Sequence, residues 1–183
     1  MKIVATELDG VVIIEPQAFD DPRGFFMETY HQDKYRQAGL ECVFVQDNLS
    51  FSVKNTLRGL HFQNKHPQAK LVQAITGEIF DVAVDIRPAS ATFGRWIGTL
   101  LSAANRHQMF IPEGFAHGFC VLSETAHVAY KCTDFYTPGD EGGIRWSDPG
   151  IAIDWPVKTP ILSEKDSQLP HLSDLSLDAH HSR

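Results

Sequence analysis

The sequence has no apolar run approaching the ~20 residues that a membrane-crossing helix needs. Met1 and Lys2 lead only into a short apolar stretch, broken by Glu7 and Asp9, so there is no secretory leader pattern. Cysteine is scarce: Cys42, Cys120 and Cys132 are an odd number with no CxxC spacing. That argues against a disulfide frame and for buried thiols in a reducing compartment. Basic residues are outnumbered, 16 Lys and Arg against 23 Asp and Glu, for a formal charge of -7. A nucleic-acid coat needs a basic face and is excluded. A single nucleotide ligand is not, because a few local cations can hold its phosphates. No GxGxxG follows a strand, and there is no P-loop and no GxSxG elbow. The glycine-rich stretch 139–143 contains Asp140 and Glu141 and reads as a turn, since carboxylates make a poor phosphate cradle. These absences predict a soluble cytoplasmic protein with no nucleic-acid and no membrane partner.

Helix signals are also few. The best is 33–38, stopped by Gly39 as a C-cap. With 183 residues, 43% of them hydrophobic and 21% charged, the chain is long enough for one well-packed domain. Residues 1–171 read as that domain. Residues 172–183, rich in Ser, Asp and His and including His180 and His181, read as a polar tail. The segments 43–46, 50–53, 70–76, 78–86, 95–101, 107–111, 115–122 and 126–133 read as short strands broken by Gly, Pro and Asn. Many short strands without alternating helices predict an all-β sandwich or barrel, and a small barrel can hold one ligand in its mouth.

Side chains alternate along a strand, so Val128, Tyr130 and Cys132 share one face while His127, Ala129 and Lys131 share the other. Lys70, Val72 and Ala74 likewise point together. A lysine opening an apolar inward row is costly unless it is paired or used. Polar residues gather in further segments: DPRGFFME from Asp21, RGLHFQ from Arg58, IPEGFAHGF from Ile111, YKCTDFY from Tyr130 and LSEKD from Leu162. Pro22 and Gly24 suit a turn, and Gly59 inside a strand permits a bulge or a close approach by another backbone or a ligand. Singly, each is as well explained by a solvated face or a core edge.

Together and in this order, these segments with Lys70 resemble the dTDP-4-dehydrorhamnose 3,5-epimerase family over roughly residues 3–170. The resemblance implies a cupin-type jelly-roll β-barrel, a homodimer, a dTDP-sugar substrate, and neither metal nor organic cofactor. It implies an isomerase that inverts C3 and C5 of a 4-keto-6-deoxy sugar. It gives His61 the role of general base, Asp166 that of the carboxylate orienting it, Tyr130 that of the opposing acid, and Lys70 that of the cation at the enolate oxygen. It makes Arg23, Phe26, Glu28, Gln46, Asn48, Arg58, His117, Glu141 and Lys165 ligand-contacting positions, and Tyr136 the aromatic stacked on the base. The N-terminal strand is a candidate for exchange between subunits. Two departures are Phe62, where Tyr is common, and His127, where an acid is expected.

The chemistry fits these residue types. Hydrogens on carbons flanking a ketone are acidic, and inversion removes a proton from one face and returns it on the other. An imidazole with a pKa near the working pH suits removal, and a carboxylate behind it stabilises the imidazolium. The rivals are a relative that inverts only C3 or isomerises the ketone, a barrel that only binds a sugar nucleotide, and a metal-dependent cupin, which supplies a His-x-His pair, a Glu and a later His. Here Pro112, Gly114 and His117 match its second half, but His61 is followed by Phe62 and Gln63 and lacks its companions.

Overall fold

The structure, a computed structural model, describes residues 1–176. Positions 177–183, including His180 and His181, lie outside the described residues. The elements in order are β1 (Lys2–Ala5), β2 (Val12–Glu15), β3 (Ala18–Asp21), β4 (Gly24–Met27), α1 (Gln32–Gln37), β5 (Gln46–Val53), β6 (Leu57–Gln63), β7 (Lys70–Thr76), β8 (Glu78–Asp85), β9 (Trp96–Ser102), β10 (Gln108–Ile111), β11 (Phe115–Val121), β12 (Thr125–Cys132), β13 (Glu141–Gly143) and α2 (Glu164–Ser167). One sheet runs β1-β2-β10-β7-β12-β5 and the other β13-β6-β11-β8-β9, both antiparallel, while β3 and β4 form a separate hairpin. This is the all-β jelly-roll barrel that the sequence predicts.

Period-two alternation builds the space between the sheets. Val72 and Ala74 of β7, Val128 of β12 and Met109 of β10 meet Ile79 and Ala83 of β8, Leu101 of β9 and Phe115 and Phe119 of β11 in one buried cluster. Burying each of the Val, Leu, Ile, Met and Phe side chains among them contributes about 1.5–3 kcal/mol. The smaller sheet is covered on its outer side as well, where Val82, Val84, Ala116 and Cys120 pack under Ile144, Ile151, Trp155 and Val157. Outside the larger sheet, Ile14, Leu71 and Phe110 pack against Tyr35 of α1 and Leu40. Beyond that patch this face is open: Leu49, Phe51 and Val53 of β5 and Ile75 of β7 are exposed.

Two boundaries differ from the sequence reading. Residues 43–45 are not a strand; β5 starts at Gln46 and runs unbroken to Val53, pairing along its whole length with β12. The start of the polar tail is folded: Leu172–Asp174 form a 3-10 turn, Leu172 donates its N–H to Asp148 Oδ2 at 2.7 Å, and Leu172 and Leu175 pack on the core. The apolar residues at 172 and 175 outweigh the polar composition around them.

Candidate active site

A cavity of about 330 Å³ opens at one end of the barrel between the two sheets. The larger sheet contributes Gln46, Asn48 and Ser50 from β5, Lys70 from β7 and Tyr130 and Cys132 from β12. The smaller sheet contributes Arg58, His61, Phe62 and Gln63 from β6 and His117 and Phe119 from β11. Tyr136, Glu141, Ser163, Lys165 and Asp166 close the rim. The inward rows read from alternation, Lys70 with Val72 and Ala74, and Tyr130 with Val128 and Cys132, are those observed.

Strict alternation fails in β6. It puts Arg58 and His61 on opposite faces, yet both line the cavity. The pairing of β6 with β11 shifts register between His117 and Phe119, and Gly59 sits at φ +122°, a region L side chains rarely adopt. A Cβ at Gly59 would lie 2.6 Å from Gly118 Cα. The irregularity turns Leu60 into the outer core and brings His61 back to the pocket.

His61 Nε2 lies 2.6 Å from Asp166 Oδ1, and Asp166 is buried. Asp166 stands on the single turn α2, capped by Ser163, whose Oγ accepts the Asp166 N–H at 3.0 Å. Burial pushes the Asp166 carboxyl up, but the His61 hydrogen bond and charge, with hydrogen bonds from Gly59 N–H and Ser163, outweigh it and leave it below the usual range. Burial holds the Lys70 ammonium below its ordinary pKa, partly opposed by Cys132 and Asp81. Lys70 makes no hydrogen bond or ion pair among the described residues. Burial, seconded by Cys132, pushes the Tyr130 phenol up, while Arg58 pulls it down. Its hydroxyl is likewise without a partner among the described residues. The cavity therefore presents an imidazole backed by a carboxylate, a desolvated ammonium and a phenol, the last two with donors free to meet a ligand.

The rim is polar and interlocked. Arg58 Nε donates to Ser52 Oγ at 2.9 Å, and Gln46 Nε2 to Asn48 Oδ1 at 3.0 Å. Tyr136 N–H donates to Gln46 Oε1, while its hydroxyl donates to Glu141 Oε1 at 2.6 Å, and Lys165 pairs with Glu141 at 2.9 Å. Tyr136 is half exposed, with its ring at the mouth.

The structure does not bring Arg23, Phe26 and Glu28 to this cavity. They lie on or just beyond the β3–β4 hairpin, whose strands pair only with each other. Arg23 is held by Asp21 at 2.6 Å, Glu28 pairs with Lys34 at 2.8 Å, and Phe26 is 70% exposed. Arg106 pins the hairpin from outside, pairing with Asp20 and lying over the Phe25 ring. Of the two departures, Phe62 lines the cavity, while His127 faces outward, bonded to Thr76 and against the Phe51 ring. Among the described residues no group of three His, Cys, Asp or Glu side chains is placed to hold a metal ion. Sequence reading passed over Ser50, Gln68 and Phe119 in the lining and, behind it, Asp81, whose Oδ1 lies 2.7 Å from His117 Nε2. The signal for Asp81 was an acid inside the β-branched run EIFDVAVDI.

Residues 5–174 match the family profile of dTDP-4-dehydrorhamnose 3,5-epimerase. The chain belongs to the dTDP-4-dehydrorhamnose 3,5-epimerase family. It is 55% identical to the dTDP-4-dehydrorhamnose 3,5-epimerase of Methanothermobacter thermautotrophicus, over 90% of this chain and 91% of that one. It is 52% identical to the Escherichia coli protein of the same name, over 96% of each. It is also similar to the crystal structure of the Legionella pneumophila dTDP-6-deoxy-D-glucose-3,5-epimerase in complex with dTDP-4-keto-L-rhamnose. There the TM-score is 0.93 at 49% identity, covering 98% of this chain and 96% of that one. The motifs quoted from the sequence thus sit in a chain that shares its relatives' fold from end to end.

Proposed function

We propose that this epimerase-family chain inverts C3 and C5 of dTDP-4-keto-6-deoxy-D-glucose to give dTDP-4-keto-L-rhamnose, by proton removal and return through an enolate. The observation that carries the reading is the meeting in one cavity of the His61–Asp166 pair at 2.6 Å, Lys70 and Tyr130. His61 takes the proton from the carbon beside the ketone. Asp166 holds the ring and stabilises the imidazolium that forms. Lys70 donates to the oxygen that gains charge; in a desolvated pocket such a donor is worth about 10²–10³ in rate. Tyr130 returns a proton from the other face. Its raised pKa suits an acid that stays protonated until a basic enolate is present. No step in this scheme calls for a metal or an organic cofactor.

The nucleotide does not react. Binding it at the rim positions the sugar, with Arg58 and Lys165 as the local cations for its phosphates, Tyr136 as the stacking surface, and Gln46, Asn48 and Glu141 as polar contacts, while His117, opposite His61, faces the sugar. Arg23, Phe26 and Glu28 fit the same ligand if a second copy supplies them, and we read the protein as a homodimer. The support is the open apolar face of Leu49, Phe51, Val53 and Ile75 together with the exposed Phe19, Phe25 and Phe26 of the hairpin. Residues 1–171 act as one domain onto which Leu172 and Leu175 pack, and the three unpaired cysteines suit a cytoplasmic enzyme.

The test is His61→Ala. It should lose solvent exchange at both carbons while binding dTDP as the parent does. Turnover near the parent rate would overturn the assignment. Sedimentation tests the dimer: the parent should run as a dimer and Phe51→Asp as a monomer, and a monomeric parent would refute it.

A further inference from the structure

The cavity contains a second histidine–carboxylate pair. His117 on β11 stands directly opposite His61 on β6. Its Nε2 lies 2.7 Å from Asp81 Oδ1 on β8. The two pairs differ in setting: the His61 side chain is 38% exposed and that of His117 only 7%. Asp81 is fully buried, and its Oδ2 has no hydrogen-bond partner among the described residues. An ionised carboxylate only accepts hydrogen bonds, so the imidazole nitrogen against it must carry the proton. That leaves Nδ1 of a neutral His117 as a lone pair. Among the described residues Nδ1 has no partner, and it is not sealed from solvent, so it opens to the cavity that His117 lines.

Resting on the epimerase reading, we propose that Asp81 is a positioning residue for the sugar: it holds the His117 proton on Nε2, so that Nδ1 accepts a hydrogen bond from a sugar hydroxyl near the ketone. Burial, more than the surrounding charges, favours the neutral ring. Lys70 on β7, His61 and Arg58 on β6, Tyr130 and Cys132 on β12 and Asp166 on α2 line the same cavity. Burial pushes the His117 pKa down and Asp81 pushes it up, while Lys70 and His61 push it down again. When His61 takes the substrate proton, a charged His117 beside it would oppose the transfer. A neutral acceptor also divides the labour in the pocket. Lys70 can only donate and takes the ketone oxygen; His117 can only accept and takes a hydroxyl. The two together fix which way up the sugar ring lies, which neither does alone.

The experiment is ¹⁵N–¹H NMR of histidine-labelled parent protein, with His117 assigned by comparison with His117→Gln. The expected result is a neutral Nε2–H ring with bare Nδ1, unchanged between about pH 5.5 and 8.5, where an ordinary histidine titrates. A proton on Nδ1, or titration to imidazolium in that window, overturns the proposal. In Asp81→Asn the amide can donate to Nε2 and drive the proton to Nδ1. That variant should lose about tenfold to a hundredfold in kcat/KM for the sugar nucleotide, with the Kd for dTDP within about twofold of the parent. Parent-like kcat/KM in a folded Asp81→Asn also overturns it. If that variant does not fold, the parent spectrum decides. If the parent shows no exchange with any 4-keto sugar nucleotide, the epimerase reading falls, and the tautomer still reports on Asp81 independently.

Discussion

Replacing Asp166 by Asn changes one charge and almost no shape. Asp166 Oδ1 is 2.6 Å from His61 Nε2, on a buried residue whose turn is capped by Ser163 through the backbone, so the fold should survive. What changes is the stabilisation of the His61 imidazolium once it has taken the substrate proton. Two unit charges about 4 Å apart at an effective dielectric of about 20 attract by roughly 4 kcal/mol, or about a thousandfold in rate. The His61 side chain is 38% exposed, so solvent screens part of that interaction. The expected loss is therefore about a hundredfold to a thousandfold in kcat, with dTDP affinity and thermal midpoint near those of the parent. The assay is deuterium uptake from D₂O into the 4-keto sugar nucleotide, with dTDP titration and thermal melting alongside. A folded variant that exchanges within about threefold of the parent would refute the electrostatic role given to Asp166.

Lys70→Met should move activity and stability in opposite directions. Removing the cation at the enolate costs about 10²–10³ in kcat, while removing a desolvated ammonium that has no partner among the described residues raises stability by roughly 1–3 kcal/mol; urea melts and turnover check both. Asp85 is fully buried, and although burial pushes its carboxyl up, hydrogen bonds from Arg87, Ser90 and Thr92 bring it down to about 2. A depressed carboxyl stabilises the fold above its unfolded pKa, so the gap between parent and Asp85→Asn, about 2 kcal/mol near neutrality, should shrink below about pH 4 and close near pH 2 in acid-dependent urea melts. Gly118→Ala should not yield folded enzyme: a Cβ there would sit 2.7 Å from the Arg58 carbonyl oxygen. Parent-like melting of that variant would show that β6 and β11 can separate at the bulge.

Much of the site was legible because it lies on regular strands. Alternation alone placed Lys70 with Val72 and Ala74, and Tyr130 with Val128 and Cys132, and both rows face the cavity and core. Where the backbone departs from period two, pattern reading loses the direction of side chains. Gly59 could be flagged as a bulge, but only its contact with Gly118 shows that Arg58 and His61 share a face. Arg23, Phe26 and Glu28 resemble ligand positions in sequence, yet their hairpin pairs only with itself in one chain, and no local pattern encodes a neighbouring copy. The four-residue strands β1 to β4 are too short to show a period, and β5 was split because Asp47 and Asn48 look like a break although their backbone pairs fully with β12. Asp81 was hidden in a different way. In a run that reads as buried strand, an acid looks like an interruption until its partner, His117, is seen on the adjacent strand.

Where solvent hydrogen enters the sugar distinguishes one inversion from two. Proton NMR of dTDP-4-keto-6-deoxy-D-glucose with the parent enzyme in D₂O should show the signals at both C3 and C5 replaced by deuterium, with both configurations inverted. Deuterium at C3 alone, or at neither carbon, would contradict the double inversion assigned to His61, Lys70, Tyr130 and Asp166.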